Sequence, residues 1–295
     1  MWVFDCAGYV DLHNTRSFAH KVSMNIYEAN GISSRIWPVT IKNYWFGQRP
    51  TKNALPDIAK LHSIRQPLKG AINIESWTLL TDLTGTDSDL MALLHRDTRE
   101  QVRRAEREGI SVERYESKNI DILNNFEKFY LHFANSKAEV RDALQVSIQL
   151  HMLKKKAYAG ILQVSRAVGR DGEPLVYRVY IVADGRTRNH LSASLFREGQ
   201  SNERRHYVGR ANRYLHWQNM LHYKHLGYSQ YDMGGWYSGK DNESLLRVNR
   251  FKEAFGGRVV CEYDAIYGCT LLGRCLLPFR TLYRVIRDSV FRKTT

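Results

Sequence analysis

The sequence predicts a mixed α+β protein: a mostly antiparallel sheet flanked by helices, in two tandem halves of which the first is shortened. Three observations lead there. Of the 295 residues, 43% are apolar and 25% charged, the balance of a chain that buries a substantial core. From residue 119 the patterns run helix, helix, hairpin-linked strands, helix, strand, strand, an order that argues against a doubly wound parallel sheet. A helix-then-strand pattern at 89–115 also reads as a shortened echo of the one at 209–233. The expected division is a truncated first half over 1–116, a second half over 117–268 and a basic tail over 269–295.

Along the chain, residues 1–80 hold short strand-like runs such as Ser34–Ile41 and Ile72–Leu80. Thr86, Asp87 and Ser88 offer caps for a helix over Asp89–Glu108, in which Leu90, Leu94, Thr98, Val102 and Ala105 recur at helical spacing. Gly109 suits the left-handed residue that ends it, and Ile110–Tyr115 alternates as a strand. Asn119–Phe133 and Asp142–Tyr158 read as helices, and Gly160–Val168, Leu175–Val182 and His190–Phe196 as strands. Gly169–Pro174 and Asp184–Arg188 are the turns between those strands. A basic loop over Arg197–His206 precedes a helix from Gly209 to His225. Then come a strand (Tyr228–Met233), a helical turn (Asn249–Phe255) and a strand (Arg258–Ile266).

Composition narrows the function. No apolar run approaches the roughly 18 residues that a membrane span needs. Asp5 and Asp11 interrupt the apolar start, which does not read as a signal peptide, so a cytoplasmic protein is expected. Cys6, Cys261, Cys269 and Cys275 form no CxxC pair and read as reduced thiols. Forty-four Lys and Arg against thirty Asp and Glu give a formal charge of +14, which suits a nucleic acid, a phosphorylated cofactor or an anionic membrane face, or simple solubility. The tail from Leu276 to Lys293, with Arg280, Arg284, Arg287 and Arg292, reads as a basic amphipathic helix. It suits peripheral contact with an anionic inner membrane leaflet or packing on the core.

Several residue patterns carry chemistry. Phe251 and Phe255 are i, i+4 and can anchor a helical turn that carries Lys252, either as a solvated lysine or as a fixed ammonium beside a developing oxyanion. Asp232 precedes Gly234, Gly235 and Trp236, a stretch where a substrate can approach the sheet closely. Its carboxylate can take or orient an amine proton, or cap the loop. Gly209, Arg210 and Ala211, with Arg205 and His206 before them, look like a helix start able to hold an anionic cofactor. Arg99, Arg103 and Arg107 share one helix edge, where a substrate phosphate would relieve their repulsion. His222 and His225 have no third ligand at convincing spacing, so no metal is expected.

Three ordered stretches together resemble the FemAB family, which carries the GNAT acetyltransferase fold, often in tandem. They are Arg99–Ile110 with its arginine run closing on Ala105 and Gly109, Asn212–Gly235 with Trp217, Gly227 and Tyr231-Asp232-Met233-Gly234-Gly235, and Phe251-Lys252-Glu253-Ala254-Phe255-Gly256-Gly257. The resemblance implies an acyltransferase that moves an aminoacyl or acyl group from aminoacyl-tRNA or acyl-CoA to an amine of a cell-envelope or glycoconjugate precursor. It also implies that the catalytic lysine is Lys252, and that the donor is a co-substrate with no tightly bound cofactor. The acetyltransferase phosphate loop, Gln/Arg-x-x-Gly-x-Gly/Ala, is matched at Gly209 and Ala211 but has His206 where Gln or Arg is usual, which leaves the donor open. The competing reading is a non-catalytic basic protein that binds nucleic acid or serves as a membrane-associated scaffold.

Overall fold

The computed structural model describes residues 27–28, 31–36, 39–116, 119–135, 143–197 and 201–277. Cys6, residues 198–200 of the basic loop and the tail beyond residue 277 lie outside them. In chain order the elements are β1 (Tyr27–Glu28), β2 (Gly31–Ile36), β3 (Val39–Trp45), β4 (Ile58–Ile64), β5 (Ile72–Asp82), α1 (Asp87–Leu93), α2 (Arg96–Arg107) and β6 (Ser111–Glu116). They continue with α3 (Ile120–Asn135), α4 (Ala143–Tyr158), β7 (Leu162–Val168), β8 (Pro174–Ala183), β9 (Arg186–Ser194), α5 (Asn202–His225), β10 (Gln230–Gly235), α6 (Glu243–Glu253) and β11 (Arg258–Gly268). The described residues form two compact units: one spans Trp77–Val260, and the other takes the described residues before and after it.

In the larger unit the strand order is β5-β10-β9-β8-β7-β6. Every pairing among these strands is antiparallel except that of β9 with β10. This is the mixed, mostly antiparallel sheet that the element order predicts. The boundary expected at residue 116 falls inside this unit, because β6 pairs along its whole length with β7. One face carries a core built from α1, α2 and α5, including Leu90, Val102, Ala105, Leu215, Met220 and Phe255. Another core gathers Phe126, Tyr130 and Leu153 of α3 and α4 against Leu162, Val179 and Leu191. Burying side chains of this size is worth about 1.5–3 kcal/mol each, which makes them the main cohesive term.

Two local departures from the expected elements redirect the chain. The single helix expected over 89–108 is two helices. Thr86 and Asp89 form a reciprocal capping box at α1, but Leu94 turns extended and His95 donates its backbone N–H to the Ala254 carbonyl at 3.0 Å. The break buries Leu94 and lets the chain turn into α2. The turn expected over 184–188 is only Asp184-Gly185, both with positive φ (46° and 68°). A two-residue Asp-Gly turn of this kind matches the twist of its strands, so β9 starts at Arg186 and carries two arginines that the longer turn would have left in a loop.

The smaller unit has the order β1-β2-β3-β4-β11, with β3 and β4 parallel and the other pairings antiparallel. Tyr44, Leu61, Ile64 and Ala265 form its core, and Trp45 stacks on His62 with ring centroids 4.3 Å apart.

Gly257, which follows α6, has φ +102°, and a Cβ there would stand 2.6 Å from the Leu80 carbonyl oxygen. Gly257→Ala is therefore expected to cost about 1–3 kcal/mol in backbone strain, before any clash is counted. Urea unfolding checks this as a lower midpoint at unchanged slope.

Candidate active site

The site is organised where β10 leaves β9. Their pairing runs Gln230–Arg186, Tyr231–Thr187 and Asp232–Arg188 and ends there, while β9 is bulged at His190 relative to β8. At this end point Asp232 is fully buried. Its Oδ2 accepts from Arg186 Nη2 and Nε (the latter 3.1 Å) and from Arg188 Nη1 at 3.0 Å. Its Oδ1 accepts from the Thr78 hydroxyl and from the Gly234 N–H at 2.8 Å. Burial opposes ionisation, but the two guanidinium groups and these donors outweigh it and hold the pKa down at about 2. Asp232 is therefore a fixed anion that ties β5, β9 and β10 together, as in the structural alternative that the sequence offered beside proton transfer. Arg186 and Arg188 were not singled out in the sequence; the Asp-Gly turn was the signal for them.

Gly234 is the next consequence. With φ +78° and a hypothetical Cβ only 2.6 Å from the Asn189 carbonyl oxygen, the position admits no side chain. The Gly234 and Gly235 carbonyls are thereby turned towards α6, and Lys252 Nζ donates to both, at 3.2 Å for Gly234. α6 begins earlier than the expected turn, capped by the Asn242 side chain on the Leu245 N–H. Phe255 is fully buried behind it, and Asn249 clamps both backbone polar groups of Tyr237. Lys252 is thus half-buried and held against the strand end, not a solvated surface lysine. Trp236 hydrogen-bonds through its backbone N–H to the Trp77 carbonyl and packs on the core.

Lys252 and Phe251 line a cavity of about 550 Å³ together with His216, Arg178, Arg213 and Asn189. His216, on α5, is buried among Tyr231, Phe251 and Phe255, the last at a centroid distance of 4.9 Å. Its pKa is pushed well below 6.5 by burial and then by Arg178, Lys252 and Arg213, so the ring is neutral. Hydrogen-bond satisfaction assigns its tautomer. Arg114 donates to Asn219 Oδ1, which turns the amide Nδ2 to Ser165 and Tyr180. The Tyr180 hydroxyl then donates to Tyr231, and Tyr231 to His216 Nδ1, each at 2.7 Å. The proton is left on Nε2, so His216 offers an N–H at its free edge. Burial keeps both tyrosines protonated.

A second cavity, of about 750 Å³, shares the lining residues Phe196, Gly209 and Arg213 with the first. Arg103, Arg104 and Arg107 of α2 line it opposite His206, Gly209 and Arg210 of α5. The arginine edge and the glycine segment, expected to serve two different substrates, thus face one groove. The helix-start reading of 206–211 is corrected: α5 opens at Asn202 with Ser201 as its cap, so the Gly209 amide lies inside the helix. Ala211 is buried core, Arg205 is exposed outside the lining, and Arg210 is paired with Glu108 at 2.6 Å. Arg99 turns away from the groove and caps the Leu94 and Ala92 carbonyls, at 2.6 and 3.3 Å.

No family model and no curated protein matches the sequence. Among solved structures, that of FemX aligns over 87% of this chain and 89% of its own, at 14% identity and a TM-score of 0.57. The fold is that of FemX. L-PGS from Bacillus licheniformis (12% identity, 85% and 82% coverage, TM-score 0.49) and the C-terminal domain of a putative lysylphosphatidylglycerol synthetase from Agrobacterium fabrum (15%, 88% and 88%, 0.48) also align. The FemX likeness bears out the resemblance carried by Arg99–Ile110, Tyr231–Gly235 and Phe251–Gly257 at the level of fold.

Asp232→Asn is expected to destabilise the FemX-like fold by about 3–5 kcal/mol, because two buried guanidinium groups lose their counter-charge. In the parent, a carboxylate with a lowered pKa stabilises above its unfolded value of 3.8, and that contribution fades as pH falls towards 2. Thermal unfolding from pH 5 to 2, run on both proteins, checks each point. For His216, ¹⁵N NMR is expected to show an Nε2–H tautomer with no imidazolium at pH 6.5, and Tyr231→Phe to disturb that preference.

Proposed function

We propose that this protein is an acyltransferase that moves an aminoacyl or acyl group from an activated, phosphate-bearing donor, aminoacyl-tRNA or acyl-CoA, to an amine on a cell-envelope or glycoconjugate precursor. The observation that carries this reading is Lys252, held by the Gly234 and Gly235 carbonyls on the wall of a cavity that also presents His216. The FemX-like fold supports it. The amine nitrogen attacks the donor carbonyl carbon, a C–N bond forms, and the carbonyl electron pair moves onto oxygen. An ammonium and a neutral imidazole N–H in a partly enclosed site stabilise that oxyanion without reorganising. Collapse breaks the bond to the thiolate or ribose oxygen of the donor, and the amine proton leaves with that group or to water. Asp232 acts as a positioning residue, because it sets the Gly234 geometry on which Lys252 rests. The groove of Arg103, Arg104 and Arg107 holds donor phosphate through charge-assisted hydrogen bonds.

Acetyl-CoA, longer acyl-CoAs and charged tRNA, each offered with a panel of amine acceptors, test the reading by donor consumption. Turnover with one of them is expected; no donor loss with any would reject it. Lys252→Met is expected to lower kcat by about 10²–10³-fold, the usual effect of losing one oxyanion donor. His216→Asn is expected to lower kcat with little change in KM. Because His216 is already neutral at pH 6.5, the parent's kcat should show no acid limb from this residue near that pH.

A further inference from the structure

The inner cavity is lined by four cationic side chains and, among the described residues, by no carboxylate. Arg178 stands on β8 opposite Ser192 of β9 and is only 3% exposed. One of its terminal nitrogens donates to Asn212 Oδ1, but its Nε is buried with no hydrogen-bond partner. Arg213, from α5, lies over the Phe251 ring at 5.0 Å, and its Nε is likewise buried without a partner. Lys252 lines the same space, as does Arg247, whose Nε lies 3.5 Å from Glu243 outside the lining. The other buried arginines of this unit do have acids: Arg186 and Arg188 have Asp232, and Arg210 has Glu108. The contrast isolates Arg178, among the described residues, as a buried guanidinium kept without a counter-ion of its own.

A buried charge with no partner is unfavourable, and a folded protein keeps one where a ligand supplies the opposite charge. The lowered pKa of His216 reports the same convergence, since Arg178, Lys252 and Arg213 all act on it after burial. The fork of a guanidinium matches two oxygens of one oxyanion. Phe196, Met233 and Val248 supply apolar walls around it, and Ser192 and Ser194 lie on the strand beside it.

We infer that this cavity binds a substrate bearing an oxyanion, a carboxylate or phosphoryl group on a short apolar stem, and that Arg178 with Arg213 is the clamp that selects it. The groove of Arg103, Arg104 and Arg107 is a separate cavity, so a substrate seated here carries its own negative charge near the reacting centre. Oxyanion binding at Arg178 is independent of acyl transfer. A protein that binds such an acid through Arg178 but consumes no donor would keep the clamp and lose the proposed activity.

The test uses three small probes on the full chain: N-acetylalanine, its neutral analogue N-acetylalaninamide, and propyl phosphate. Calorimetric or NMR titration is expected to favour a charged probe over the amide by about tenfold or more. The Arg178 Nε–H resonance, assigned by its loss in Arg178→Lys, should shift with the charged probe and not with the amide. Arg178→Met should abolish the preference, and Arg178→Lys should keep part of it. Preference for propyl phosphate over N-acetylalanine would assign the oxyanion as phosphoryl, and the reverse as carboxylate; both support the clamp. Equal binding of acid and amide, no binding of either charged probe, or a preference that survives Arg178→Met would overturn it. Should Arg178→Met fail to fold, the Nε–H shift in the parent decides alone.

Discussion

The buried carboxylate of Asp232 is where this structure concentrates its constraints. It accepts from two arginines on β9, a hydroxyl on β5 and the backbone of Gly234 just beyond it on β10. Three strands are therefore fixed to one another at the place where β9 and β10 stop pairing. Because the carboxylate is fully buried, the arrangement tolerates no missing partner. From it follow the left-handed turn at Gly234, the outward carbonyls of Gly234 and Gly235, and the seat on which the Lys252 ammonium rests.

A second constraint comes from α5. Its inward face meets the sheet through Tyr180, Tyr231, Asn219 and His216, a hydrogen-bonded file that begins at Arg114. Each member fixes the proton position of the next, so a polar network inside the core becomes a directional device at the cavity. The fixed lysine, the neutral histidine, Arg178 and Arg213 converge there because strand divergence opens room that neither α5 nor α6 fills. Asp232 with Arg186 and Arg188 holds the strands, while Arg178, buried without an acid, lines the cavity.

Much of the architecture was legible in the sequence. Helical periodicity placed α3, α4 and the body of α5, and strand alternation with Gly and Pro punctuation placed β6 to β8. Ordered motifs pointed to Lys252 and to the Asp232–Gly235 segment. The misreadings were local and share a cause. The break at Leu94-His95 depends on a contact with Ala254, 159 positions away, which no window of periodicity contains. The start of α5 at Asn202 lies in a polar, arginine-rich stretch that looks like loop when burial is unknown. The first residues of β9 were lost because two arginines in a strand look exposed until the acid that buries them is known.

What the sequence determined by itself is therefore what short-range physics encodes: the kind and order of elements, the capped and glycine-ended termini, and the phenylalanine pair around Lys252. Tertiary structure alone decided the partners. It joined Asp232 to Arg186 and Arg188, sent Arg99 to the carbonyls of a helix end, and merged two expected phosphate sites into one groove. It also left Arg178 buried without an acid. Charge balance is a property of neighbours in space, and residues 178, 213 and 252 become neighbours only when β8, α5 and α6 close around one cavity.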